Sequence, residues 1–251
     1  MGAVGTSLVA LVVILGGGFV GMWLRQALPE RHLVDETKDV VRVGSGLIGT
    51  ISALVLGLLI AAANGSYGTQ SGHVQHMTAD IIFLDQLLAQ YGPEAKPARE
   101  ELRQAIDPLV KRIWRESRSG TANRQSFEAA GPGQDVAAII LQLEPRNEAQ
   151  RIIKDRVVQT TADWAQTRLL LFEQSGSSLP LPFLVVLVFW LAMIFLSLGM
   201  FARPNPILIG ALIICAVSAS GALFLVLELS HPFTGLMQIS SAPLRNALAP
   251  L

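Results

Sequence analysis

Four long stretches of this chain contain no Asp, Glu, Lys or Arg. They run from Met1 to Trp23, from Val43 to Ala79, from Gln174 to Ala202 and from Pro204 to Leu227. An uncharged apolar run of about 18 residues or more reads as a transmembrane helix, because about 20 residues rising 1.5 Å each cross the hydrocarbon core. The runs place four spans near Ala3–Leu24, Gly44–Ala63, Leu181–Phe201 and Pro206–Leu229. Only 15% of the chain is charged, against about 25% in soluble domains, and the deficit is concentrated in these runs. An all-α integral membrane protein is expected.

Charge and cysteine content remove other classes. The net charge is zero, so the chain lacks the basic footprint of a nucleic-acid binder. Cys215 is the single cysteine, so no disulfide can form within one chain. The first span has neither the positive leading region nor the small-residue cleavage site of a signal peptide. The opening MGAVGT fits a myristoylation pattern, but it runs straight into a span, where small residues are common.

The spans divide the chain into four parts: 1–63 with two spans and a short charged connection, 64–180 as a polar region of domain size, 181–229 as a pair of spans, and 230–251 as a tail. ARPNP, with Pro204 and Pro206, reads as a tight turn between spans three and four. Orientation follows from basic residues near the span ends. Arg25, Arg31, Lys38 and Arg42 lie in the first connection, and Arg203 lies in the third. The rule puts these two connections in the cytoplasm and the 64–180 region outside it. That region carries thirteen Lys and Arg, but long loops cross largely regardless of charge.

Region 64–180 is expected to be helical and coiled-coil-like. Val74, Met77, Ile81, Leu84, Leu88 and Tyr91 step by three and four, the spacing of a helix seam. Gly92-Pro93 should stop that helix. Ala98, Leu102, Ile106, Leu109 and Ile113 form one face of a second helix, with Pro108 inside it. Residues 120–134 read as a loop, a short helix is expected near Val136–Leu143, and a long one after Pro145 with Ile153, Val157, Thr160, Trp164, Thr167 and Leu171 on its seam. The seams can pair within one chain or between chains.

Several groupings carry candidate chemistry. GSGLIG, Gly44 to Gly49, matches a nucleotide-binding pattern but opens a membrane span with no strand before it, so the context for that function is missing. Small residues recur along the same span at Gly46, Gly49, Thr50, Ala53, Gly57 and Ala61. Such a stripe lets helix backbones approach closely in lipid; the sharper reading is a pore wall. His73, His76 and Asp80 share a helix face, one ligand short of a closed tetrahedral site. Asp35 with Lys38, and Asp39 with Arg42, can pair on a solvated helix or form a charged vestibule. Arg99, Arg103, Lys111, Arg112, Arg115 and Arg118 make the second helix basic, as a solvated face or an anion-attracting one. No nucleophile–base pair, phosphate loop or set of paired carboxylates emerges, so neither an enzyme nor a cofactor is expected.

The last span ends unusually. ELSHPFTGLMQISSAPLRNAL, Glu228 to Leu248, replaces the usual flanking charges with a histidine, prolines, an aromatic and a glycine. Pro232 cannot continue the helix. Phe233 is expected to rest at the membrane interface, Glu228 and His231 to reach water, and Gly235 to allow a sharp turn. The stretch, with Glu228, His231, Pro232, Phe233, Gly235, Ser240, Ser241 and Pro243, resembles the C-terminal signature of the bacterial bestrophin-like family known as DUF4239. The order of two spans, a helical region, two spans and this tail matches as well. Family members often have an acidic residue where this chain has Ser230, and sometimes where it has Thr234, so the resemblance carries no carboxylate role to those positions.

The resemblance implies distant kinship with bestrophins, oligomeric anion channels with four spans per subunit, and a bacterial inner membrane. It also implies a large domain in the cytoplasm, opposite to the basic-residue count, which we follow. The expectation is a homo-oligomer in the lipid bilayer that passes small ions, anions first. The alternative is a non-conducting scaffold or envelope sensor acting through the helical domain. The tail is expected to fold back against that domain.

Overall fold

The structure, a computed structural model, describes residues 2–27, 35–119, 134–175, 181–202 and 205–248. Every regular element among them is helical. They are α1 (Ala3–Ala27), α2 (Asp35–Tyr91), a 3₁₀ turn (Pro93–Ala95), α3 (Lys96–Ser119), α4 (Gln134–Leu141), α5 (Glu148–Ser175), α6 (Leu181–Phe201), α7 (Pro206–Leu229) and α8 (Ala242–Arg245). Four of them, α1, α2, α6 and α7, are long and apolar enough to cross a membrane. Arg31, Arg203, Pro204 and the expected loop within 120–133 lie outside the described residues.

Length is the surprise in α2. It runs 57 residues, from the second span through Asn64, Gly65, Gly68 and Gly72 to the end of the first seam without a break. Each glycine costs a helix about 1 kcal/mol relative to alanine. No proline lies between Asp35 and Tyr91, and extending a formed helix is easier than nucleating a new one. The end is sharp. Gly92 takes φ 122°, a backbone region closed to most L-residues, and Pro93 follows at the start of the 3₁₀ turn.

The chain divides into two units. One comprises Met1–Ser66 and Leu179–Ser230; the other comprises Tyr67–Ser178 and His231–Leu251.

In the first unit α1, α6 and α7 pack with the span portion of α2. Ile14, Leu187, Ala216, Leu223 and Val226 form its buried centre. Contact between α1 and α6 is backbone-close. A Cβ on Gly17 would lie 2.5 Å from the Ala192 carbonyl oxygen. One on Gly21 would fall inside contact with the Leu196 carbonyl, and one on Gly199 inside contact with that of Gly18. Serines link the helices further: Ser45 Oγ donates to Ser197 Oγ at 2.9 Å, and Ser220 Oγ to the Ser7 carbonyl at 2.7 Å. In hydrocarbon there is no hydrophobic drive between helices, so close backbone packing and such hydrogen bonds hold them. Asn205 caps α7, its side chain accepting from the Leu208 N–H at 2.7 Å, with Pro206 at the first helical position where its missing N–H costs nothing.

In the second unit the seams pair within one chain. Val74, Met77, Ile81, Leu84, Leu88 and Tyr91 of α2 are buried in one cluster with Leu102, Ile106 and Leu109 of α3, Val136 and Ile140 of α4, and Val157, Trp164 and Leu171 of α5. Lys154 on α5 closes the C-terminal end of α4 by donating to the carbonyls of Leu141 at 3.1 Å and Leu143 at 2.6 Å.

Asp85 and Arg99 tie α2 to α3 through two parallel hydrogen bonds, Arg99 Nε to Oδ1 and Nη2 to Oδ2, both 2.8 Å. Their side chains are 15% and 31% exposed. The guanidinium's hydrogen bonds pull the Asp85 carboxyl below its ordinary value of 3.8, more than burial pushes it up. A depressed carboxylate stabilises the fold fully above its unfolded pKa and loses that contribution as pH falls through the folded value. The Arg99→Met variant is therefore expected to be less stable by about 1 kcal/mol at pH 7. The gap between it and wild type should close as pH drops below 3.8. Chemical unfolding at several pH values measures this; a pH-independent gap would refute the assignment.

Candidate functional site

Two places carry the candidate residues: the exposed side of α2 in the first unit and the tail in the second.

At about 100° per residue, the span part of α2 presents three faces. Ser52, Leu59 and Ala63 point inward and are buried. Leu47, Ile51, Leu54 and Leu58 form an exposed apolar stripe. Gly46, Thr50, Ala53, Gly57 and Ala61 form an exposed stripe of small residues beside it. A Cβ added at Gly46 or Gly57 would meet nothing within 4 Å, and one at Gly49 would meet only Ile194 Cδ1 at 3.9 Å. Thr50 turns its hydroxyl back onto the Gly46 carbonyl at 3.0 Å, which lowers its polarity toward the outside. Among the described residues the stripe is exposed. Small residues that bring helices of this chain together are Gly17, Gly21 and Gly199. Sequence reading passed over these three, although Gly17 and Gly21 have the G-x-x-x-G spacing that marks such contacts.

The tail folds onto the second unit, as expected from sequence. Helix α7 ends at Leu229 with Ser230 as its cap, the Ser230 hydroxyl donating to the Val226 carbonyl at 2.6 Å. Pro232 is buried. Phe233 is 2% exposed and belongs to the helical core, not to a membrane interface. Its ring meets Trp114 of α3 edge-on, with centroids 5.3 Å apart and planes at 79°. The Trp114 indole N–H donates to the Ile239 carbonyl at 3.0 Å, and the Ile239 N–H to the Pro232 carbonyl at 2.7 Å. Gly235 turns the chain with φ 94°. Ser240 Oγ accepts from the Ala242 N–H at 3.2 Å, Ser241 precedes α8 with Pro243 in its first turn, and Leu244 is fully buried. The aromatic therefore works as a core anchor, because an edge-to-face indole offers it more than a mixed interface does.

Glu228 corrects another expectation. It is 4% exposed and does not reach water through an open helix end. His231, three residues on, is exposed. A carboxylate so enclosed at the end of a span is costly unless its surroundings compensate it.

Charges elsewhere are local. Asp80 is raised above its ordinary value by burial and by Asp163, with His76 pulling the other way. Among the described residues no three His, Cys, Asp or Glu side chains converge as metal ligands would. Of the basic residues on α3, Arg99 is committed to Asp85. Arg112 lies near Arg168 of α5, whose guanidinium is lowered mainly by burial and then by Arg112. The side chains of Arg115 and Arg118 lie outside the described residues.

Comparison with known proteins agrees with this layout. The family model for the bestrophin-like domain matches residues 12–244, so the chain belongs to the bestrophin-like family. Three solved structures of a bacterial bestrophin homolog from Klebsiella pneumoniae share the fold. One point mutant aligns with a TM-score of 0.65 at 14% identity, covering 95% of this chain and 94% of that one. The structure solved by zinc phasing aligns at 0.64 and 12% identity over 97% and 94%. A second mutant aligns at 0.64 and 13% over 97% and 95%. A search of curated proteins found no match. At these identities the likeness speaks to the fold alone.

Proposed function

We propose that the protein is a homo-oligomeric membrane passage for small ions, anions first, with the small-residue face of α2 as its wall. The observation that carries this is the exposure of Gly46, Thr50, Ala53, Gly57 and Ala61 along a span whose other faces are apolar or internal. Small side chains leave width for a hydrated ion and uncover the helix backbone. The neighbouring stripe of Leu47, Ile51, Leu54 and Leu58 suits lipid or an adjacent copy. Membership of the bestrophin-like family supports the same reading.

Reconstituted into liposomes, the wild type is expected to dissipate an anion gradient. The Gly57→Val variant should slow it at least tenfold by narrowing the wall, while stability stays within about 0.5 kcal/mol, since a Cβ added there would meet no other part of the described chain within 4 Å. Correctly assembled oligomers that pass no ion under any gradient would rule this out. The rival, a scaffold or sensor working through a coiled-coil seam, has less to draw on, because the seam residues are already covered by their own chain.

Orientation is part of the proposal. The basic residues Arg25, Lys38 and Arg42 favour a cytoplasmic first connection and a 64–180 region on the opposite side. A reporter active only outside the cytoplasm, inserted within residues 120–133, is expected to be active. Silence there, with activity in the first connection, would reverse the topology.

A further inference from the structure

We propose that the tip of the tail loop, Leu236 and Met237, inserts into the interfacial layer of the bilayer as a second, non-spanning membrane contact. The loop runs from Pro232 to Ile239, and its ends are joined by the 2.7 Å hydrogen bond from the Ile239 N–H to the Pro232 carbonyl. Trp114 holds both ends at once, stacking edge-on with Phe233 and donating to Ile239. Between these fixed ends Gly235 turns the chain and sets Leu236 83% and Met237 44% exposed. A loop pinned in this way does not expose apolar side chains by fraying. Turn tips that face water ordinarily carry Gly, Pro, Asn, Asp or Ser; this one carries a leucine and a methionine.

Two further facts select lipid. Leu236 lies seven residues beyond Leu229, the last residue of the α7 span, so at about 3.4 Å per residue the connecting chain reaches no more than about 24 Å. No Asp, Glu, Lys or Arg occurs between Glu228 and Arg245, so no charge in the segment opposes entry into an apolar layer. Apolar side chains presented beside a membrane bury themselves at the boundary between headgroups and acyl chains.

The test uses the full chain in phosphatidylcholine vesicles. Cys215→Ser removes the single cysteine, and Leu236→Cys accepts an environment-sensitive fluorophore; at 83% exposure this exchange removes little packing. Met237→Cys repeats the measurement. Blue-shifted emission, quenched strongly by a lipid carrying a shallow nitroxide and weakly by a water-soluble nitroxide, is expected. The same probe at Gln142, exposed in the turn after α4, provides the water-facing reference. Quenching only by the aqueous agent would leave the tip in water. Protection from both agents would put it against protein, such as a second copy of the chain. Either result overturns the proposal.

Discussion

Replacing Gly21 with valine is expected to break the contact between α1 and α6 and to destabilise the membrane unit by about 3 kcal/mol or more. The reason is geometric. A Cβ at Gly21 would lie inside contact with the Leu196 carbonyl oxygen, 2.9 Å from the Leu196 carbonyl carbon and 3.0 Å from the Met200 nitrogen. All three are backbone atoms of a helix, and none can rotate aside as the end of a side chain could. The helices must separate, which loosens their packing along its length. Gly199→Val should act alike, since its Cβ would meet the backbone of Gly18 and Met22. Gly46→Val is the internal comparison. It adds the same bulk where an added Cβ would meet nothing within 4 Å among the described residues, so it should change stability by no more than about 0.5 kcal/mol. Unfolding in mixed micelles measures the series. Equal stability of Gly21→Val and wild type would refute the packing account.

Phe233→Ala is expected to destabilise the helical unit by about 3–5 kcal/mol. Phe233 is 2% exposed and lies against Trp114, so truncation removes a large buried ring and leaves a cavity beside the indole. The same change releases the loop from the core and weakens the hydrogen bond from Trp114 to Ile239. Trp114→Phe isolates that bond: the ring contact survives in part, the donor is lost, and about 1 kcal/mol should follow. Thermal melts followed by near-ultraviolet circular dichroism separate the two variants. If Phe233→Ala melted with wild type, the tail would be an appendage and not part of the core.

Much of the architecture was legible because hydrocarbon imposes simple requirements. Runs such as 206–227 must be helical to satisfy their backbone groups without water, and α7 is that helix. The three-four spacing of Val74, Met77, Ile81, Leu84, Leu88 and Tyr91 marked a buried stripe, because residues so spaced share one helix face. Gly92-Pro93 marked the end of α2, because glycine readily leaves the helical region and proline has no N–H to continue the bonding.

The tail was legible by its resemblance to known relatives, but the roles within it were not. Phe233 read as interfacial because its neighbours in sequence are a membrane span. Its neighbour in space is Trp114, 119 residues away in the chain. Glu228 read as water-facing because it stands near a helix end, and burial depends on what else packs there.

Local chemistry thus determined which segments span the membrane, which faces are apolar and where helices stop. Those properties depend on hydration, helix geometry and backbone constraints acting within a few residues. Only the tertiary structure decided which small residues are packed and which are open. Gly21 and Gly57 are the same residue in similar apolar spans. A Cβ on the first would press into a neighbouring backbone, and one on the second would meet nothing within 4 Å among the described residues. Periodicity shows that a face is small; the partner laid against it decides whether it is a contact or a wall.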